Sequence, residues 1–171
     1  MPNTDNLPNV AVIGSGYWGK NLVRNYHDIG ALKLVCDRDD LVLSQFKKQY
    51  PGIETCVAPN DLNKREDIQA VVIATPAETH YTIAKEAILS GKHVYVEKPS
   101  SHNIWEGRKM VEAARKYNRV VQVGFQNRSI STVMQAMQFL NDGGIGDVFM
   151  ARGTCFKPRD SFGISADSEA P

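Results

Sequence analysis

The stretch "NVAVIGSGYWG", residues 9 to 19, decides how the rest of the chain is read. A short apolar run of β-formers breaks into glycines, and a helix through about Ile29 is expected to follow. Gly14, Gly16 and Gly19 stand in G-x-G-x-x-G spacing. Between a strand and a helix, the first glycine permits a tight turn and the second lets the backbone approach a pyrophosphate. The third lets helix and strand pack closely, and the helix N-terminus supplies amide donors to the anion. A glycine turn with no ligand is the bland alternative, and the strand–turn–helix context favours nucleotide binding. Tyr17 and Trp18 either flank the pyrophosphate through their backbone or face the core.

Outward from this stretch the pattern alternates strand and helix. "LKLVCD" (32–37) is the second expected strand, and "DDLVLSQFKKQY" (39–50) reads as a helix until Pro51-Gly52 stops it. "IETCVA" (53–58), "AVVIATP" (70–76), "HVYVEK" (93–98) and "VVQVGFQ" (120–126) supply strands three to six. In "ETHYTIAKEAILSGK" the apolar residues 81, 84, 87 and 88 share one helical face, and Gly91 stands at the C-terminal cap. Asn103 and Glu106 have capping-box spacing before another helix. Continuous apolar strands between amphipathic helices indicate a parallel sheet covered on both faces. Right-handed crossovers make it a doubly wound α/β fold, suited to a dinucleotide.

After Gly124 the alternation weakens. "STVMQAMQFLNDGGIG" reads as a helix closed by glycines, "DVFMARGTCFK" as one more strand, and "PRDSFGISADSEAP" as loop. The expected organisation is a flexible tail over 1–8 and a dinucleotide-binding domain over 9–123. Residues 124–171 then form the incomplete beginning of a second α/β domain.

Composition narrows the function classes. The chain has 171 residues, 42% hydrophobic and 23% charged, as in a soluble globular protein large enough for a real core. With a formal charge of +1 and scattered basic residues, neither nucleic acid nor an anionic membrane is an expected partner. No apolar run approaches the ~20 residues that span a bilayer. Cys36, Cys56 and Cys155 lack metal-type spacing and read as reduced thiols of a cytoplasmic protein, so no metal site is expected.

The candidate site residues fall at strand ends. Asp37 follows Gly19 at the spacing where this fold places an acid on the adenosine ribose, and its charge repels a 2′-phosphate. NAD is therefore expected over NADP. Arg38 beside it either stacks on adenine or meets that phosphate. An acid opening the next helix is the other reading of this region, and it suits Asp39 and Asp40 better. Thr75-Pro76 ends strand four, and His80 follows in the next helix, either at the ligand or as a capping or packing histidine. Glu97-Lys98 closes strand five before Pro99, and Gln126 closes strand six. In an open α/β sheet the ligand lies across these carboxyl ends, so the charged pair is expected to face the cofactor.

With those residues in place, the chain resembles the Gfo/Idh/MocA family of nicotinamide-dependent oxidoreductases. "GSGYWGKNLVRN", Asp37, "ATPAETH", "GKHVYVEKPS" and "VGFQNR" carry the resemblance, which covers about residues 9 to 157. "GYWGKNLVRN" with "ATPAETHY" is also similar to the branch that oxidises the 3-position of nucleotide-linked sugar uronates, while "VGFQNRS" and "KPRDSFG" resemble other branches. The resemblance implies a Rossmann domain followed by a larger α/β domain that builds the substrate pocket and oligomer interface. It implies hydride transfer between NAD and a sugar, nucleotide-sugar or polyol hydroxyl, by a homo-oligomer in full-length form. By motif position, Gly14, Gly16 and Gly19 hold the pyrophosphate and Asp37 the adenosine ribose. Thr75, Pro76 and His80 line the nicotinamide half, Glu97 lies near its ribose, and Lys98 meets the substrate hydroxyl. Gln126 lies on the loop into the substrate domain.

Family members are much longer, and their later aspartate and histidine, the acid–base pair of the second domain, have no counterpart here. The chain is expected to be the cofactor-binding part of a longer enzyme; a non-catalytic NAD-binding or regulatory module is the alternative.

Overall fold

The computed structural model describes residues 7–154. Most of the expected tail 1–8, Cys155 and the expected loop 158–171 lie outside the described residues. The described chain divides after Asn127 into two compact units.

The first unit holds six strands and four helices: β1 (Val10–Ile13), α1 (Gly19–Asp28), β2 (Leu32–Cys36), α2 (Asp40–Gln49), β3 (Glu54–Cys56), β4 (Ala70–Ile73), α3 (Ala77–Leu89), β5 (His93–Glu97), α4 (Ile104–Lys116) and β6 (Val121–Gly124). A 3₁₀ segment, Pro59–Lys64, occupies the β3–β4 connection. All pairings are parallel, in the order β3-β2-β1-β4-β5-β6. The order reverses direction between β1 and β4, and a crevice opens beyond the carboxyl ends there.

Alternation along each strand splits the core into two layers. Val10, Val12, Val35 and Val72 meet Leu22 and Val23 of α1 and Leu43 and Phe46 of α2. Ala11, Ile13, Val71, Ile73, Val94 and Val96 meet Ala84 and Ile88 of α3 and Met110 of α4. The central strands β1 and β4 are therefore apolar on both faces, which is why the sequence shows runs rather than alternation there.

Local signals fix the boundaries. Asp39 caps α2 by accepting from the Leu41 and Val42 amides. Asn103 caps α4 by accepting from the Glu106 amide at 2.9 Å, while the Glu106 carboxylate accepts from the His102 amide at 2.8 Å. Gly91 ends the α3 turn at φ +80°. The edge strand β3 is shorter than expected, three residues.

In the second unit α5 (Ser131–Asn141) forms as expected. Of the strand expected from "DVFMARGTCFK", residues 147–154 carry none, and residues 155–157 lie outside the described residues. A strand-like composition needs a partner backbone for its ladder, and among the described residues none is paired with it.

Candidate functional site

The glycine turn is built by steric exclusion. Gly14 leaves β1 at φ +84°, and a Cβ there would lie 2.9 Å from the Ala74 carbonyl group. A Cβ on Gly19 would lie 2.0 Å from the Gly14 oxygen, so α1 could not approach β1 with any side chain at that position. Nothing stands within 4 Å of a Cβ on Gly16, whose surroundings are open. Unlike α2 and α4, α1 opens with no side-chain cap and no acid in its first turn. The Lys20 and Asn21 amides donate back to the Gly16 and Trp18 oxygens, so a ligand would meet the amides of the glycine turn itself, at the end of a helix that favours anions. Such a cradle fits a dinucleotide pyrophosphate. Tyr17 and Trp18 stand at this turn, both exposed rather than core-facing.

Asp37 follows β2 directly. Its Oδ2 accepts from both the amide and the hydroxyl of Ser15, each at 2.7 Å. Its Oδ1 accepts from the Asp39 amide at 3.1 Å. Partial burial works to raise the Asp37 pKa, but the Ser15 donors, the Asp39 amide and the Arg38 charge outweigh it and hold it below the ordinary value. A carboxylate accepts about four hydrogen bonds, so capacity remains for a ligand hydroxyl. Asp37 and Arg38 line a cavity of about 480 Å³ together with Gly14, Gly16, Thr75 and Pro76.

A second cavity, about 440 Å³, lies on the other side of Thr75 and is lined by Tyr17, Trp18, His80, Glu97, Lys98 and Gln126. The two share Ala74 and Thr75, at the β4 end beside the reversal of strand order. Together they gather every candidate residue except Gly19, which sits behind Gly14.

Glu97 is buried and its oxygens are held from three sides. The Gln126 side-chain amide and the Tyr95 hydroxyl both donate to Oε1, and the Lys98 amide donates to Oε2 at 3.3 Å. Burial, then the Glu97 charge, pushes the Tyr95 pKa up to about 12, which keeps the phenol a donor. Lys98 is exposed and forms none of the ion pairs found among the described residues. The His80 ring is 2% exposed, with Nδ1 2.7 Å from the Pro99 oxygen and Nε2 2.8 Å from the Thr75 oxygen. A histidine so engaged ties two loops together and keeps its nitrogens from a ligand.

Two contributors escape motif reading, Ser15 and Tyr95. Ser15 is the x between the first two glycines of G-x-G-x-x-G, a position for which the pattern specifies no residue. Tyr95 was legible in principle, because Tyr95 and Glu97 are two apart in β5 and share a face.

The family described as "Oxidoreductase family, NAD-binding Rossmann fold" matches residues 8–125. The chain belongs to the Gfo/Idh/MocA family. Among its relatives, the inositol 2-dehydrogenase of Gluconacetobacter diazotrophicus is 32% identical over 146 residues, 82% of this chain and 43% of that protein. A glycosyl hydrolase family 109 protein of Shewanella sp. (strain ANA-3) is 35% identical over 130 residues, 70% of this chain and 28% of that protein. The crystal structure of scyllo-inositol dehydrogenase from Lactobacillus casei with bound NAD(H) and scyllo-inositol superposes with a TM-score of 0.77. It is 26% identical, over 83% of this chain and 43% of that one. The chain thus spans less than half the length of these Gfo/Idh/MocA relatives.

Proposed function

We propose that this Gfo/Idh/MocA chain binds NAD in preference to NADP and belongs to an enzyme that transfers hydride to or from a sugar or polyol hydroxyl. The observation that carries this is the row of strand-end groups: an open glycine cradle, an ionised Asp37, and an exposed Lys98 beside a fixed Glu97. The names of the relatives, inositol dehydrogenase and glycosyl hydrolase, share polyhydroxylated rings and support that substrate class.

The pyrophosphate would rest on the Gly14–Gly19 turn, at an α1 N-terminus that carries no side-chain cap and no acid in its first turn. Asp37, oriented by Ser15, would accept from the adenosine ribose hydroxyls, and its charge would repel a 2′-phosphate. The cavity that holds Glu97 and Lys98 would take the nicotinamide end. When bound, the nicotinamide supplies a hydride acceptor or donor. Lys98 Nζ would hydrogen-bond the substrate oxygen and steady its negative charge as the hydroxyl proton leaves. Glu97, fixed by Tyr95 and Gln126, would hold the Lys98 backbone through its amide and set where that ammonium starts.

Isothermal titration of the folded chain with NADH and NADPH tests the cofactor half. NADH is expected to bind more tightly; a folded chain that binds neither sinks the proposal.

A further inference from the structure

Cys36 and Cys56 have no part in the proposed chemistry, yet the sheet places them together. β2 and β3 run in parallel register, and Cys36 is the Cα partner of Cys56. Registered residues on neighbouring strands project to the same face. Accordingly Cys36 lies in the core layer under α3, and Cys56 packs against that layer. The two side chains are therefore neighbours on one face, and the Cys56 thiol donates to the Ala58 oxygen at 3.7 Å. Strands lie about 4.8 Å apart, inside the roughly 4.4–6.8 Å Cα separation that a disulfide spans.

Their surroundings divide the labour. Cys36 is 1% exposed, while Cys56 is half-buried and lines a surface cavity with Ser44, Lys47 and Asp61. The Cys36 thiol beside it lowers the Cys56 pKa against the opposing effects of burial and the Asp61 charge, while Cys56 and burial push Cys36 up. Thiolate character and access therefore coincide at Cys56, with a second thiol next to it.

We propose that Cys36 and Cys56 are a reversible dithiol–disulfide site, closed by a hydroperoxide, on the wall of the dinucleotide cavity. The Cys56 thiolate attacks the peroxide, forming an S–O bond as the O–O bond breaks and hydroxide leaves with a proton as water. Cys36 then attacks the sulfenic sulfur, forming the S–S bond as the S–O bond breaks. A second water carries away the oxygen and the Cys36 proton. Two thiols lose two electrons, and hydrogen peroxide gains them.

The site reaches the cofactor cavity through the backbone. Cys36 lines that cavity, and the Asp37 amide donates to the Cys56 oxygen at 3.1 Å. Drawing the two Cβ atoms to the roughly 3.8 Å of a disulfide moves the end of β2 against β3, and Asp37 with it. This consequence rests on the cofactor reading above.

The test uses the chain carrying Cys155→Ser, which removes the third thiol. After hydrogen peroxide, intact mass should fall by about 2 Da, with a Cys36–Cys56 cross-linked peptide that dithiothreitol reverses. The loss should vanish in Cys56→Ser, whose partly exposed position tolerates the change. NADH affinity of the closed chain should drop by about fivefold or more and recover on reduction. Unchanged mass, or oxygen added to Cys56 without a cross-link, overturns the dithiol site. A cross-link that leaves NADH affinity unchanged overturns its coupling to the cavity. If the reduced chain binds no NADH, the cofactor reading fails, while the mass measurement still decides the dithiol.

Discussion

One oxygen of Asp37 takes two hydrogen bonds from Ser15, from the amide and the hydroxyl, each 2.7 Å long. The residue between the first two glycines thereby fixes the acid at the end of the neighbouring strand. Replacing Asp37 with alanine removes a charged acceptor and the repulsion of a 2′-phosphate, so NADH should weaken by about tenfold and NADPH by less. Ser15→Ala should cost NADH less than that, because the backbone amide still orients Asp37. Titration calorimetry of both variants checks this; equal losses for the two cofactors would remove the ribose role.

A second relationship fixes Glu97. A Cβ on Gly124 would fall 2.7 Å from the Tyr95 hydroxyl oxygen and 2.9 Å from Glu97 Oε1. Gly124→Ala must therefore push the Tyr95–Glu97–Gln126 cluster apart, and overpacking of this kind costs about 1–3 kcal/mol. Urea unfolding should show that loss. A variant as stable as the parent would mean the cluster yields freely and does not hold Glu97.

How much of this was legible beforehand depends on the range of the signal. The six strands and five helices follow from local cues: apolar runs, the Asn103 cap, Gly91 and the glycine turn. Local cues failed at residues 147–154, where composition favours a strand and only a distant partner could make one. At the site, residues carried by motifs were visible at once. Ser15 was not, because it holds Asp37 from the end of a neighbouring strand and that adjacency is a property of the fold. Tyr95 has no specified role in the strand-five motif, although its place two before Glu97 in β5 puts them on one face. His80 had two readings, and its engagement by two carbonyl oxygens follows from two loops meeting around α3.

Lys98 is the group on which the proposed chemistry rests, and its role separates from binding. Lys98→Ala should lower turnover by about a hundredfold or more with a polyol that supports NAD reduction, since it removes charge stabilisation in the transition state. NADH affinity should stay near that of the parent. Steady-state kinetics beside NADH titration makes the comparison, and an unchanged rate would strike Lys98 from the mechanism.

The Arg65 cluster gives a pH dependence. Arg65 donates to both Asp67 oxygens, at 2.7 and 2.6 Å, and to Glu54 at 2.8 Å. Its guanidinium holds the Asp67 pKa down at about 2 and, with Lys33, lowers Glu54. Folded pKa values below the unfolded ones mean that the contribution is present at neutral pH and is lost as pH falls toward 2. Asp67→Asn should therefore lower the urea midpoint modestly at pH 7, as suits an exposed pair, and the difference should close near pH 2. A difference constant across that range would exclude the ion pair as its source.

His80 offers the sharpest separation of a positioning role from a bulk one. Its buried ring spans the Thr75 and Pro99 carbonyl oxygens, joining the loop after β4 to the loop that carries Lys98. In His80→Ala the ring's contacts with both oxygens are lost and a cavity opens, which together should cost about 2–4 kcal/mol in urea unfolding. The loss should also be local. Hydrogen exchange measured on the folded variant should quicken at the Lys98 and Ser100 amides beyond the fall in global stability, while the β1 and β2 amides quicken only as much as that fall dictates. Pro99 has no amide of its own, and the Lys98 amide is held only by the 3.3 Å contact to Glu97, so this segment has little else to retain it. If exchange rises uniformly across the sheet and the Lys98 loop shows no excess, His80 is core filling and does not set the position of Lys98.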